Sequence, residues 1–358
     1  QKLLFKDFAK SYLESFTSLD IDAFSAEAIL GVVEQHWVFA EELKAKKSNV
    51  NVYNPAIKMR GWDVARTIIQ IVTDDMPFLV DSVSAELSRQ NLEVDIVVHP
   101  VMRVQRDKTG RITKLHNKNT LGKRGNLESF MFFQIIEQPC SELGNLKNNI
   151  EKCIYDVRSA FEDKESMRTA MAKLINELSV QTRGGAKKIH SEVVNFLNFI
   201  ENNNFIYLGF REYKISGVGR KAIVKLAKKS GLGVLRSPER TVFEDYKNKS
   251  NFPPETAEFL ARSDLVMVTK TNHRSTVSRS VHMDAIGIKK IDIKGRVVGH
   301  RLFIGLFTSG VYSQSPRDIP ILRQKVEKIF VESGFQPNSH DGNSLEHVLE
   351  SYPRDELF

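Results

Sequence analysis

Three carboxylates, Asp74, Asp75 and Asp81, fall within one short stretch. General acid and base work by such a group requires a pocket that drives the proton affinities of its members apart, which spacing alone does not encode. The same residues suit a plainer task, capping the helix that follows and shaping its turn. A second set is basic: Arg274, Arg279, Arg301 and Arg317, with His273, His282 and His300. Three histidines on neighbouring strands are a metal-ligating type, yet no carboxylate or thiol is spaced to complete a shell. The alternation Ser278, Arg279, Ser280, Val281, His282 predicts a strand with Arg279 and Val281 on one face. That set reads first as an exposed polar sheet face or a contact with other parts of a longer protein, and second as an anion-binding groove built from the arginines. Finally, Gly217, Gly219 and Ala222 satisfy the GxGxxG/A pattern. Dinucleotide binding needs those glycines to open a helix inside a parallel βαβ unit, whereas residues 222–226 read as the return strand of a hairpin. No Walker A, GxSxG or HExxH pattern is present.

The elements that position the acidic group follow from periodicity. Residues 67–73 are short and rich in β-branched side chains, the signature of a buried strand. Pro77 suits a first helical turn, and Leu79, Val83 and Leu87 make the stripe of an amphipathic helix. Strand, acidic turn and helix therefore follow one another. A second strand pattern covers 92–104 with a bend at Pro100, a turn is expected at Asp107–Gly110, a return strand begins at Arg111, and a buried strand covers 130–137. Before this unit, residues 3–45 read as two helices, the second capped by Ser25, ending in a polar linker at 44–49. After it, 141–180 is helical. From Phe205 the rhythm changes: strands at 205–215 and 222–226, a helical or irregular stretch at 235–261, then strands at 265–269, 281–291 and 297–307. Helices at 319–332 and 345–350 close the chain.

Composition excludes some classes. Hydrophobic residues make up 41% of 358, enough for two or three domains with cores. No run approaches the roughly 20 apolar residues of a membrane span, and the first residues lack a signal-peptide pattern. The net charge of +8 is spread among 44 acids rather than gathered into an arm, and no basic-aromatic motif accompanies it, so neither nucleic acid nor membrane is expected as a partner. Cys140 and Cys153, without a CxxC or histidine partner, read as two reduced, buried thiols of a cytoplasmic protein.

Residues 74–83, DDMPFLVDSV, resemble the signature of the amino-terminal ACT-like region of the large bacterial NAD-dependent glutamate dehydrogenases. Later stretches resemble the same family in the same order: FIYLGFREY (205–213), TKTNHRSTV (269–277), GLFTS (305–309), SPRDIP (315–320), SHDG (339–342) and YPRDELF (352–358). The resemblance runs from about residue 64 to the end. Members of that family are much longer, so the resemblance implies that catalysis, with NAD as cofactor, resides on chain beyond this segment, and that the segment carries no catalytic, cofactor or metal residues. It also implies an amino-acid effector at the strand-to-helix turn. The ammonium would suit Asp74 or Asp75, and the carboxylate the backbone N–H groups from Met76 through Phe78 to Leu79.

The expected fold is α+β: amino-terminal helices at 1–49, a ferredoxin-like ACT domain (βαββα) at 50–138, a helical connector at 139–185, a PAS-like antiparallel sheet domain at 186–312 and a helical tail at 313–358 leading into further chain. The expected role is the regulatory and assembly segment of a homo-oligomeric, cytoplasmic glutamate dehydrogenase, with the remainder of its own chain as partner. The alternative is a free-standing ACT/PAS sensor of small molecules with no catalytic domain.

Overall fold

The computed structural model describes residues 2–18, 21, 25–41, 48–55, 65–120, 122, 124–182, 187–216, 223–237, 240, 242, 264–292, 294–336 and 338–358. The chain divides into two compact units, Gln1–Arg158 with Thr276–Ser280, and Ser159–Ser275 with Val281–Phe358.

The first unit opens with helices α1 (Lys2–Leu13) and α2 (Ala26–Ala40). Ser25 caps α2 by accepting from the Ala28 amide at 3.2 Å, as its residue type predicts. Strands β1 (Asn49–Tyr53) and β2 (Arg66–Asp74) come next, followed by helix α3 (Leu79–Arg89), β3 (Val94–Val98), β4 (Val101–Arg106), β5 (Ile112–Asn117) and β6 (Asn126–Ile136). All pairings are antiparallel, in the order β1-β2-β6-β4-β5. The long β6 holds β2 along one edge. Along the other it pairs β3 (Val94 opposite Ile135) and then β4 (Val101 opposite Ser129), so β3 and β4 are one line broken at Pro100. The expected βαββα count is therefore short by a strand, because β5 pairs with β4 and widens the sheet. The fourth strand of the α/β sandwich comes from upstream: β1 flanks β2, with Val50 opposite Ile71.

The sheet has two apolar faces because helices or other chain cover both, which is why β2 and β6 read as continuous hydrophobic runs. Ile68, Val72, Phe130 and Phe132 share a core with Phe8 and Tyr12 of α1 and Val32 and Trp37 of α2. Ile69, Ile71, Met131 and Phe133 alternate to the opposite face and are just as inaccessible. Each such side chain stabilises the fold by about 2 kcal/mol.

Helix α4 (Leu143–Thr182) contributes its first part to the first unit and the rest to the second. The second unit continues with α5 (Lys187–Phe199), which ends in a wide turn at Ile200–Asn204, where Asn203 takes φ 61°. Its sheet comprises β7 (Phe205–Ser216), β8 (Ile223–Leu226), β9 (Leu232–Gly233), β10 (Val266–Arg274), β11 (His282–Ile291) and β12 (Val297–Phe307), antiparallel in the order β10-β11-β12-β7-β8, with β9 beside β7. One face, carrying Ile286, Ile288, Phe303 and Phe307, packs on Met167, Met171 and Leu174 of α4 and Phe196 of α5. Short helix α6 (Ser309–Tyr312), α7 (Leu322–Ser333), α8 (His340–Ser351) and α9 (Arg354–Leu357) follow. Gly334 ends α7 at φ 69°, the left-handed geometry for which glycine is the usual choice.

Two expectations meet a different geometry here. Residues 276–280 are bends rather than strand, since Ser278 sits at φ 67°, so the alternation expected for Arg279 and Val281 does not arise. Cys140 is exposed; only Cys153 is buried. The GxGxxA stretch and most of 235–261 lie outside the described residues. The strands on either side of the former pair antiparallel, Ser216 opposite Ile223, unlike the parallel βαβ unit that dinucleotide binding uses.

Candidate functional site

The corner between β2 and α3 is built from chain-distant partners. Asp74 is the last residue of β2, and its Oδ2 accepts from Arg158 Nη1 of α4 at 2.7 Å. The other terminal nitrogen of Arg158 donates to Thr73 Oγ1 at 2.8 Å. The Asp75 amide donates to the Leu127 carbonyl at 2.9 Å, continuing the β2–β6 ladder one residue past the strand. Its carboxylate accepts from Ser129 Oγ at 2.6 Å, and that hydroxyl lies 2.9 Å from His99 Nε2. Burial pushes His99 below its ordinary value, with the Asp75 charge acting in the opposite sense.

Neither aspartate caps α3, which corrects the structural role expected for them. The N-cap position is Phe78, at φ 69° and ψ 9°, with no side-chain bond to the first turn. A bulky residue in the left-handed region costs roughly 1–2 kcal/mol. Ser82, one turn in, donates its hydroxyl to the Phe78 carbonyl and accepts from the Ser278 amide at 2.8 Å. Thr276 joins the same side of the unit, its hydroxyl 2.6 Å from Asp156 Oδ2 and its carbonyl 3.3 Å from Cys153 Sγ. Burial foremost, with Glu86 and Asp156 adding to it, pushes the Cys153 thiol up to about 12.

The corner thus presents two carboxylates with separate donors beside a helix start that lacks a side-chain cap. Asp74 keeps one third of its side chain exposed. Met76 and Leu79 are buried, so they offer a ligand backbone N–H groups alone, while Phe78 is half-buried. Each carboxylate accepts from its own donor, Arg158 for Asp74 and Ser129 for Asp75.

The four expected arginines are divided between the two units. Arg279 belongs to the first unit, and Arg274, Arg301 and Arg317 to the second. Arg301 pairs with Glu177 at 2.7 Å and with Glu212 at 3.8 Å. Arg317 bonds Glu346 at 2.8 Å and covers the Phe330 ring at 4.9 Å. Among the histidines, His282 Nδ1 lies 2.8 Å from the Thr271 carbonyl, and His300 stacks on Tyr213. No group of three or more metal-ligating side chains occurs among the described residues. Sequence reasoning missed Arg158, Ser129 and His99. Arg158 and Ser129 lie 84 and 54 positions from their aspartates, and nothing local marks any of the three.

Among the described residues, no helix is long and apolar enough to cross a membrane. Residues 8–150 match the family description "Glutamate dehydrogenase, ACT1 domain", and residues 319–358 match "Glutamate dehydrogenase, helical motif 1". The NAD-specific glutamate dehydrogenase of Halomonas elongata is 31% identical over 333 residues, 92% of this chain and 20% of that protein. The protein of the same name from Pseudomonas aeruginosa is 30% identical over 355 residues, 98% of this chain and 22% of that one. A third, from Mycobacterium tuberculosis, is 24% identical over 336 residues. The chain spans about a fifth of the length of these curated relatives. With both family descriptions falling on it in order and the alignments running through nearly all of it, the chain belongs to the NAD-specific glutamate dehydrogenase family, as a stretch of its amino-terminal region.

Proposed function

We propose that this segment regulates and assembles a NAD-dependent glutamate dehydrogenase, whose complete form oxidatively deaminates L-glutamate to 2-oxoglutarate and ammonia with reduction of NAD. In this reading the catalytic residues and the NAD site lie on the remainder of the chain, the protein is cytoplasmic and homo-oligomeric, and the division into 1–49, 50–138, 139–185, 186–312 and 313–358 marks its working parts. The second sheet is PAS-like. Its support is the strand order, in which the first and last long strands, β7 and β12, are central neighbours and β8 and β10 form the edges.

The observation that carries the proposal is the corner at Asp74 and Asp75 inside the stretch matched as an ACT1 domain. An amino acid bound there places its ammonium at Asp74 and its carboxylate at the amides leading into α3. A thermal-shift screen of the common amino acids tests this. An effector at 100 times its Kd stabilises by about 2.7 kcal/mol, and the shift disappears in Asp74→Asn. Absence of any saturable shift, or an undiminished shift in that variant, refutes the effector site. A glutamate-dependent NADH assay on the same protein tests the assignment of catalysis elsewhere, since turnover above background overturns it.

A further inference from the structure

Residues 276–280 belong to the first unit, although the strands on either side, β10 and β11, belong to the second. The Ser275 amide donates to the Val281 carbonyl at 2.8 Å and closes this loop at its base. Within the loop, Val277 is 1% exposed. Thr276 donates its hydroxyl to Asp156 at 2.6 Å and accepts from Cys153 Sγ at its carbonyl, both partners on α4. The Ser278 amide donates to the Ser82 hydroxyl of α3 at 2.8 Å. The loop is thus fastened to two helices of its unit.

Ser82 joins this loop to the acidic corner. Its hydroxyl proton goes to the Phe78 carbonyl, which leaves the oxygen lone pairs to receive the Ser278 amide. The residues at the two ends of that bridge share a conformation: Phe78 takes φ 69° and Ser278 takes φ 67°. A residue with a Cβ stays in the left-handed region only where its surroundings hold it, and such residues gather at switching segments. Here one hydroxyl holds both. Relaxing the backbone at Phe78 swings its carbonyl away from Ser82, and the hydroxyl is then no longer aimed for Ser278. Relaxing Ser278 withdraws the amide and frees the same hydroxyl to turn from Phe78. The Ser82 amide also donates to the Phe78 carbonyl at 2.9 Å, so the first helical bond of α3 depends on the same geometry.

We propose that residues 276–280 are a latch on the first unit, coupled through Ser82 to the backbone at Phe78, so that the loop docks only while α3 keeps its left-handed start. The backbone runs from the loop directly into β10 and β11, which gives the corner a mechanical output on that hairpin. The latch rests on the hydroxyl bridge and requires no effector at Asp74.

Amide hydrogen exchange of the 358-residue protein tests the coupling, read by mass spectrometry on peptides covering 79–83, 275–281 and the strands β2 and β6. Ser82→Ala removes the bridge. The 275–281 amides then exchange roughly tenfold faster, the worth of one buried hydrogen bond, while β2 and β6 keep the parent's rates. Ser278→Gly keeps the bridging amide and removes the left-handed penalty, so the loop exchanges about threefold more slowly. The 79–83 amides slow with it, although the substitution lies 196 positions from Ser82. Unchanged 275–281 exchange in Ser82→Ala, an acceleration shared equally by β2 and β6, or a Ser278→Gly effect confined to 275–281 would overturn the proposal.

Discussion

Glu128 lies opposite Asp74 across the β2–β6 ladder, one residue from the carbonyl that anchors Asp75. Arg106 holds it with Nε 2.9 Å from Oε1 and Nη2 2.7 Å from Oε2, and donates Nη1 to the carbonyls of Ala40 and Gly110, both at 2.7 Å. The side chains are only 11% and 5% exposed. Glu128→Ala strands a guanidinium in the interior, so the expected loss is about 3–5 kcal/mol. At about 2–4 °C per kcal/mol for a unit of this size, Tm falls on the order of 10 °C. Replacing both residues by methionine removes the stranded charge and costs about 2 kcal/mol, chiefly for the two carbonyls that lose a donor. Trp37 lies in the core of the first unit and no tryptophan falls within the sequence of the second, so tryptophan fluorescence in urea follows the first unit selectively. A loss under about 1 kcal/mol for Glu128→Ala, or a double variant as unstable as the sum of the singles, refutes the assignment of a buried, mutually dependent pair.

Acidification provides a second test. Burial pushes His36 down to about 3 and His300 to about 4, so both stay neutral in the folded protein where the unfolded chain takes up protons. Their contribution is complete above pH 6.5 and falls as pH drops towards 4 and then 3, by about 1.4 kcal/mol each at pH 5.5; a His36→Gln variant should show a flatter stability profile between pH 4 and 6.5. Of the two thiols, Cys140 is expected to react with a disulfide reagent at once and Cys153 only after denaturation, as counted by released chromophore. Gly233→Ala should cost about 1–3 kcal/mol in chemical denaturation, because Gly233 takes φ 60° and a Cβ there would meet the Leu208 carbonyl at 2.1 Å.

Much of the architecture was legible because both sheets are packed tightly enough to demand unbroken apolar runs. Residues 67–73, 130–136, 205–215 and 297–307 announce themselves as strands, and Ser25 and Gly334 mark their helix ends by chemistry that acts within a turn. What escaped was set by distance along the chain. Asp74 and Asp75 precede a helix and have the right type to cap it, but the β2–β6 ladder carries the backbone past the capping position and turns their carboxylates to Arg158 and Ser129. Strand β1 escaped because Asn49-Val50-Asn51-Val52 alternates over too few residues, directly behind the polar linker, to stand out as a strand. The Ser278-Arg279-Ser280 alternation misled for the opposite reason, since a left-handed residue interrupts what the pattern alone would make a strand.

The strand that flanks β2 is made before the rest of its sheet, not after it. Any expressed piece that begins at the first obvious strand, near residue 65, would lose β1 and leave the edge of β2 that it covers, residues 68–72, open as a template for self-association. It would also uncover Ile68, Val72, Phe130 and Phe132, which share a core with α1 and α2. Soluble versions of this domain should therefore start no later than α1, which agrees with an ACT1 match that reaches back to residue 8.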